Sequence, residues 1–132
     1  MTSVDVSDAW NAIRGRMVAN WTGDEPIQYP NQPFTPPAGA TWLRLEMTEG
    51  EGANASLGAV HVRHRGVIWI GVYVPKNTGL AAAITLAETA AAIFENQRFS
   101  GVRCWAASIK DAGMFSGWRQ FTVTVPYHFD TF

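Results

Sequence analysis

The chain is poor in charge, has one cysteine and contains no long apolar run. Asp, Glu, Lys and Arg together make up 16% of its 132 residues, well under the roughly 25% of an ordinary soluble domain. Its net charge of −1 supplies no overall basicity to draw it to nucleic acid or to an anionic membrane. The lone Cys104 excludes an internal disulfide and a cysteine-based zinc site. Set in an apolar run between Arg103 and Trp105, it reads as a buried, inert thiol. No stretch approaches the roughly 20 apolar residues that a membrane helix requires. Met1 to Asp5 carry neither the basic nor the apolar region of a signal peptide. The expectation is a soluble protein, made in a cytoplasm, with no membrane partner.

Chemistry-bearing motifs are missing as well. There is no GxxxxGK[ST], no GxGxxG and no GxSxG. His61 and His64 stand three apart on a strand and so face opposite sides of a sheet, where they cannot share a metal simply. Asp24-Glu25 precedes a proline, and Glu49 and Glu51 sit among glycines. Neither pair promises the rigid placement of a two-carboxylate mechanism, and the second lacks the ligand spacing of an EF-hand. The reading is therefore no catalytic residue, no cofactor and no metal. One basic pattern stands out: His61, Arg63 and Arg65 share a parity, and Arg44 could join them if the strands pair. With Trp42 and Trp69 interleaved, such a stripe could contact phosphates. The acidic balance of the chain favours a subunit contact or a solvated face instead.

What is present is aromatic: six tryptophans and seven phenylalanines in a chain that is 47% hydrophobic. Two readings follow, a surface partly hidden against other subunits or simply an aromatic core. Trp10, Ile13, Met17 and Trp21 recur at helical spacing and predict an amphipathic helix over Ser7 to Asn20, with Ser3, Asp5 or Ser7 as its cap. Thr22 to Ala40 holds five prolines, which forbid a helix; Ile27, Tyr29 and Phe34 would anchor it as a strap over the domain. Strict alternation predicts a strand over Thr41 to Thr48, followed by a mobile acidic loop from Glu49 to Ser56. Further strands are predicted over Leu57 to His64 and Val67 to Val74, joined by a tight turn at Arg65-Gly66. An alanine-rich helix is predicted over Thr78 to Arg98, with Thr78 as its cap and an apolar stripe of Leu80, Ala83, Ile84, Ala87, Ala91 and Phe94. Leu86 and Ile93, off that stripe, suggest a second contact surface. A short strand over Val102 to Ala107 and a loop over Asp111 to Gly117 lead to the last strand, Trp118 to Phe129. Pro126 in that strand suggests a sheet edge. The sum is a single α+β domain, residues 1–132, with one mainly antiparallel β-sheet packed with two α-helices.

The centre of the chain resembles the tail-terminator-like proteins of siphophages, a family found also in prophages and gene-transfer particles. The resemblance rests on Pro33-Phe34-Thr35-Pro36-Pro37 leading into Thr41-Trp42-Leu43-Arg44-Leu45, on Arg65-Gly66, and on Val72-Tyr73-Val74-Pro75. It continues through Gly79 before an alanine-rich helix carrying Leu86, Ala87 and Phe94, and ends on Thr124-Val125-Pro126-Tyr127. It implies a ring-forming virion subunit, a hexamer, that caps the head-proximal end of the tail tube. Its partners would be further copies of itself, the tube protein and a head-completion or neck protein, with DNA only passing through the lumen. Assembly would take place in the host bacterial cytoplasm. Candidate contact residues are Tyr29, Phe34, Trp42, Arg44, Glu49, Glu51, Asn54, Arg63, Phe115 and Trp118. Two alternatives stay open: a head–tail joining subunit, and a small nucleic-acid- or ligand-binding module using Trp42, Arg44, His61 and Arg63.

Overall fold

The computed structural model describes residues 5–54, 61–76 and 79–131, with the backbone alone at 50, 51, 53, 54 and 115. Helix α1 (Val6–Asn20) starts at Asp5, whose backbone is extended and whose carboxylate accepts the Asp8 N–H at 2.7 Å. Ala9, Ile13 and Met17 are fully buried along one face, as the 3.6-residue period requires. Among the proposed caps, Ser3 lies outside the described residues. The proline-rich strap that follows contains one short strand, β1 (Ile27–Gln28), lying parallel to β2 (Trp42–Asn54).

The sheet is built on three long strands. β2 pairs antiparallel with β3 (Val62–Pro75), and β3 pairs antiparallel with β7 (Trp118–Thr131) along its whole length. Helix α2 (Leu80–Phe94) follows β3 and leads into β4 (Arg98–Phe99), β5 (Val102–Cys104) and β6 (Ser108–Phe115). The order across the sheet is β1-β2-β3-β7-β5-β4, with β6 also paired to β7 beyond the end of β5. The architecture is α+β, a seven-stranded and mostly antiparallel sheet with two helices.

Both helices pack on one face. Leu43 and Leu45 of β2, Ile68, Ile70 and Val72 of β3, and Phe121 to Phe129 at alternate positions of β7 form one core with Ile13, Met17, Ala83, Ala87, Ala90 and Phe94. Each large side chain buried there contributes about 1.5–3 kcal/mol. The small alanines of α2 let its backbone lie close to the sheet. The stripe is rotated from the predicted one: Leu80 and Ile84 are 54% and 39% exposed, while Ala90 and Ile93 are buried. The second apolar surface of α2 is therefore Leu80 and Ile84, not Leu86 and Ile93.

Several boundaries differ from the sequence-based expectations, each for a physical reason. The supposed loop from Glu49 is strand as far as Asn54, with a bulge between Glu49 and Gly52 that absorbs the glycines; residues 55–60 are outside the described part. Arg65-Gly66 is no turn but the middle of β3, opposite His128 and Tyr127. Gly66 is needed because a Cβ there would stand 2.0 Å from the Thr48 carbonyl oxygen and 2.7 Å from the Tyr127 ring. Helix α2 stops at Phe94, since Asn96 takes a positive φ of 54°; its cap is Gly79, and Thr78 is not among the described residues. Arg98 consequently belongs to a strand.

The strand predicted over Val102 to Ala107 ends at Cys104, and the predicted Asp111 to Gly117 loop is largely β6. Ser116 and Gly117, at φ 45° and 91°, make the two-residue turn that joins β6 to β7, the pairing whose twist suits a hairpin. Ser100 and Gly101, at 47° and 83°, do the same for β4 and β5. Pro126 is central rather than at a sheet edge. Its carbonyl accepts the Trp105 N–H at 2.9 Å, so its donorless nitrogen faces the gap where the chain leaves β5 for β6.

Candidate assembly surface

On the face of the sheet away from the helices, the strap closes over one end. Phe34 lies 5.4 Å from Trp42, which stacks on Tyr73 at 4.1 Å and meets Trp118 edge-on at 5.9 Å. The Trp118 indole N–H donates to the Ala40 carbonyl at 3.3 Å. Trp42 is 3% exposed, so its ring is spent inside the chain. Tyr29 lies beneath the Arg14 guanidinium, 5.0 Å from its ring centre, and burial pushes its phenol pKa up. Arg44 shares the Trp42 face as alternation predicts; it pairs with Glu46 at 3.1 Å and lies 5.8 Å from the Trp69 ring.

The other end of the sheet is polar. Arg63 grips Asp130 with two hydrogen bonds of 2.9 and 3.1 Å, and His61 approaches the same carboxylate at 3.2 Å. The Arg63 hydrogen bonds hold the Asp130 carboxyl down at about 2. His64 points to the opposite face, as its spacing from His61 predicts. It stacks on Phe129 at 4.9 Å and meets Glu49 at 2.5 Å and Thr131 at 3.2 Å. Arg44 stands opposite Gly71, eight residues along β3 from Arg63, a separation of roughly 27 Å in a strand. The stripe combining Arg44 and Trp42 with His61 and Arg63 therefore does not form, and the binding module drawn on it loses its surface. Glu51 and Asn54 lie in β2 and Phe115 pairs with Trp118; the side chains of these three are outside the described part.

Sequence reasoning missed a second basic feature. Arg98 pairs with Arg103, Arg103 with His128, and His128 with Arg65, so four strands place them in one cross-strand row. The signal was present in Arg98 and Arg103, symmetric about Ser100-Gly101, but it was hidden by extending the helix to Arg98. Beside the row, Trp105 is 45% exposed, with Arg103 4.5 Å from its ring. Its indole N–H donates to His128 Nδ1 at 3.1 Å. Burial, followed by the nearby arginines, pushes the His128 pKa down despite the opposing effect of Asp130. Cys104 is buried, and desolvation raises its thiol to about 12, so it stays protonated and unreactive. Among the described residues no group of three or more His, Cys, Asp or Glu could hold a metal ion. No described helix is long and apolar enough to cross a membrane.

These features, an aromatic strap, exposed apolar positions on a helix and a charged strand row, suit contact between macromolecules. The sequence model of the phage tail terminator protein family matches residues 8–127. The chain belongs to that family, whose members are structural proteins of the phage tail. A virion tail location follows from the same membership. One solved structure superposes with a TM-score of 0.68 over 95% of this chain and 96% of the other, at 20% sequence identity; that likeness concerns the fold. Among curated proteins no sequence matches.

Proposed function

We propose that the protein acts as a single terminator unit, residues 1–132, that forms a hexameric ring on the last ring of a long, flexible tail tube. One face of the ring pairs with the tube protein without regenerating the tube's growing end, so polymerisation stops. The other face receives the head-completion or neck protein at the head-proximal end, after assembly in the bacterial cytoplasm. DNA passes through the lumen unread, and no bond is made or broken. The observation that carries this reading is the family match, which runs from α1 to Tyr127 of β7 and so takes in both helices and most of the sheet.

The geometry supports a division of labour among the candidate contacts. Phe34 holds the strap against Trp42 of the sheet and Tyr29 holds it against Arg14 of α1, so the strap's outer surface would meet partners while Trp42 stays within the subunit. Trp118 holds the strap's end from β7 and, with Phe115 across the β6–β7 turn, would present that turn to a neighbour. Arg44 and Arg63, and the β2 segment carrying Glu49, Glu51 and Asn54, would make polar contacts at the two ends of the sheet.

The test is to add purified protein to tube protein polymerising in vitro. Arrest of elongation at substoichiometric amounts is expected. Unchanged growth, together with binding to finished tails that restores head attachment, would instead make the protein a neck subunit.

A further inference from the structure

The near-neutral charge of the chain hides a segregation. Cross-strand partners share a face of a sheet. The pairings Arg98–Arg103, Arg103–His128 and His128–Arg65 therefore put these four on one face, and Lys110 joins them opposite Thr122. It is the face away from the helices, because Ile68, Val102, Cys104, Val123 and Val125, at the alternate positions, are in the core. Arg44, with Glu46, and Arg63, with Asp130, lie on it too. Six basic side chains thus stand against two carboxylates, an excess of four in a chain whose total is −1. The Glu49 carboxylate belongs to the helix side, with His64. The Glu51 side chain is outside the described part; placed on this face it would leave an excess of three.

The row is one-sided in hydrogen bonding as well. Arginine and lysine offer only donors. His128 Nδ1 accepts from Trp105, so its own proton sits on Nε2 and adds a donor. A donor-only surface suits an acceptor-only ligand, and guanidinium–phosphate pairs are among the strong charge-assisted contacts. From Arg98 to Arg65 the row crosses three interstrand steps of ~4.8 Å, about 14 Å in all. A duplex carries one phosphate charge for about every 1.7 Å of its axis, so such a row meets several wherever it lands. Protein carboxylates would have to be placed one by one. A single strand is the poorer ligand, because Arg103 covers one face of Trp105 and its edge is tied to His128, leaving little ring for a base to stack upon.

We infer that the helix-free face of the sheet is a contact surface for the phosphate backbone of duplex DNA, centred on Arg98, Arg103 and Arg65 and blind to base sequence. Phosphate contacts position a duplex without reading it. The residues are not the stripe of Trp42, Arg44, His61 and Arg63, which the strand register separates. The contact itself goes beyond the terminator reading. Its corollary, that each subunit turns this face toward the lumen, rests on the ring.

The test is fluorescence anisotropy with two labelled duplexes of unrelated sequence, at salt between about 50 and 200 mM. Equal affinity for both is expected, with a log–log salt slope of about −3. Arg65→Gln and Arg98→Gln, both at exposed positions, are each expected to weaken binding about three- to tenfold and to flatten the slope by about one. Lys76→Gln, just past the other end of β3 from Arg65, removes the same charge and is expected to change neither. Light scattering checks that each variant assembles as the wild type does. Wild-type protein that fails to bind at the lowest salt overturns the inference, as does a Lys76→Gln loss equal to that of Arg98→Gln. Polyglutamate that displaces the duplex at equal charge would assign the face to an acidic protein, and overturn it too. All three leave the ring reading standing. Binding by a chain that never assembles, in solution or on tube ends, would overturn the ring and leave the phosphate contact in place.

Discussion

Trp10 of α1 donates its indole N–H to the phenol oxygen of Tyr127 in β7 at 3.0 Å, across 117 residues of sequence. The same phenol donates to the Thr48 carbonyl of β2 at 3.1 Å, passing over Gly66 of β3. One hydroxyl therefore ties the first helix to two strands that flank a third. Burial raises the Tyr127 pKa, with the Trp10 hydrogen bond opposing, so the phenol remains a donor at any physiological pH.

Removing that hydroxyl leaves two polar groups without partners in a part-buried place. Tyr127→Phe is expected to destabilise the fold by about 1–3 kcal/mol, read from urea denaturation, with the denaturant slope unchanged. A loss below a few tenths would mean that the three groups are not coupled as described.

Gly66 is the passage through which Tyr127 reaches Thr48. Gly66→Ala places a methyl against backbone that cannot yield, and the expected cost is about 1–3 kcal/mol or more. It should also weaken the Tyr127 contact, so combining it with Tyr127→Phe should cost less than the sum of the two. Strict additivity in a double-mutant cycle would count against the shared geometry.

Asp130 gives the fold an acid limb. Its carboxyl lies at about 2 against an ordinary value of 3.8, so its contribution is complete above about 3.8 and is lost as pH falls from there through 2. Asp130→Asn is therefore expected to be less stable than wild type near neutrality, with the difference shrinking across that window and vanishing only below about pH 2. A difference in urea midpoint that does not change with pH would contradict the Arg63–Asp130 assignment.

The alternating strands were legible because their burial is one-sided: Phe121, Val123, Val125, Tyr127 and Phe129 are all buried, and period two has no other reading. Glycine was the main source of error. At Gly66 it serves close approach rather than a turn, and at Gly113 a positive φ of 85° lets a strand bulge and continue. The end of α2 hinged on Asn96, whose left-handed backbone no local pattern required. The charged row could not be seen at all, because it exists only once β4, β5, β7 and β3 lie side by side. Of the candidate contacts, Phe34 and Trp42 did converge, but on each other.

The most direct measurement is the length distribution of tails, by electron microscopy, in lysates of the virus carrying an amber stop at Trp10. The account predicts overlong tubes without heads, restored to normal length when the protein is supplied in a suppressing host. Tails of normal length joined to heads would contradict it.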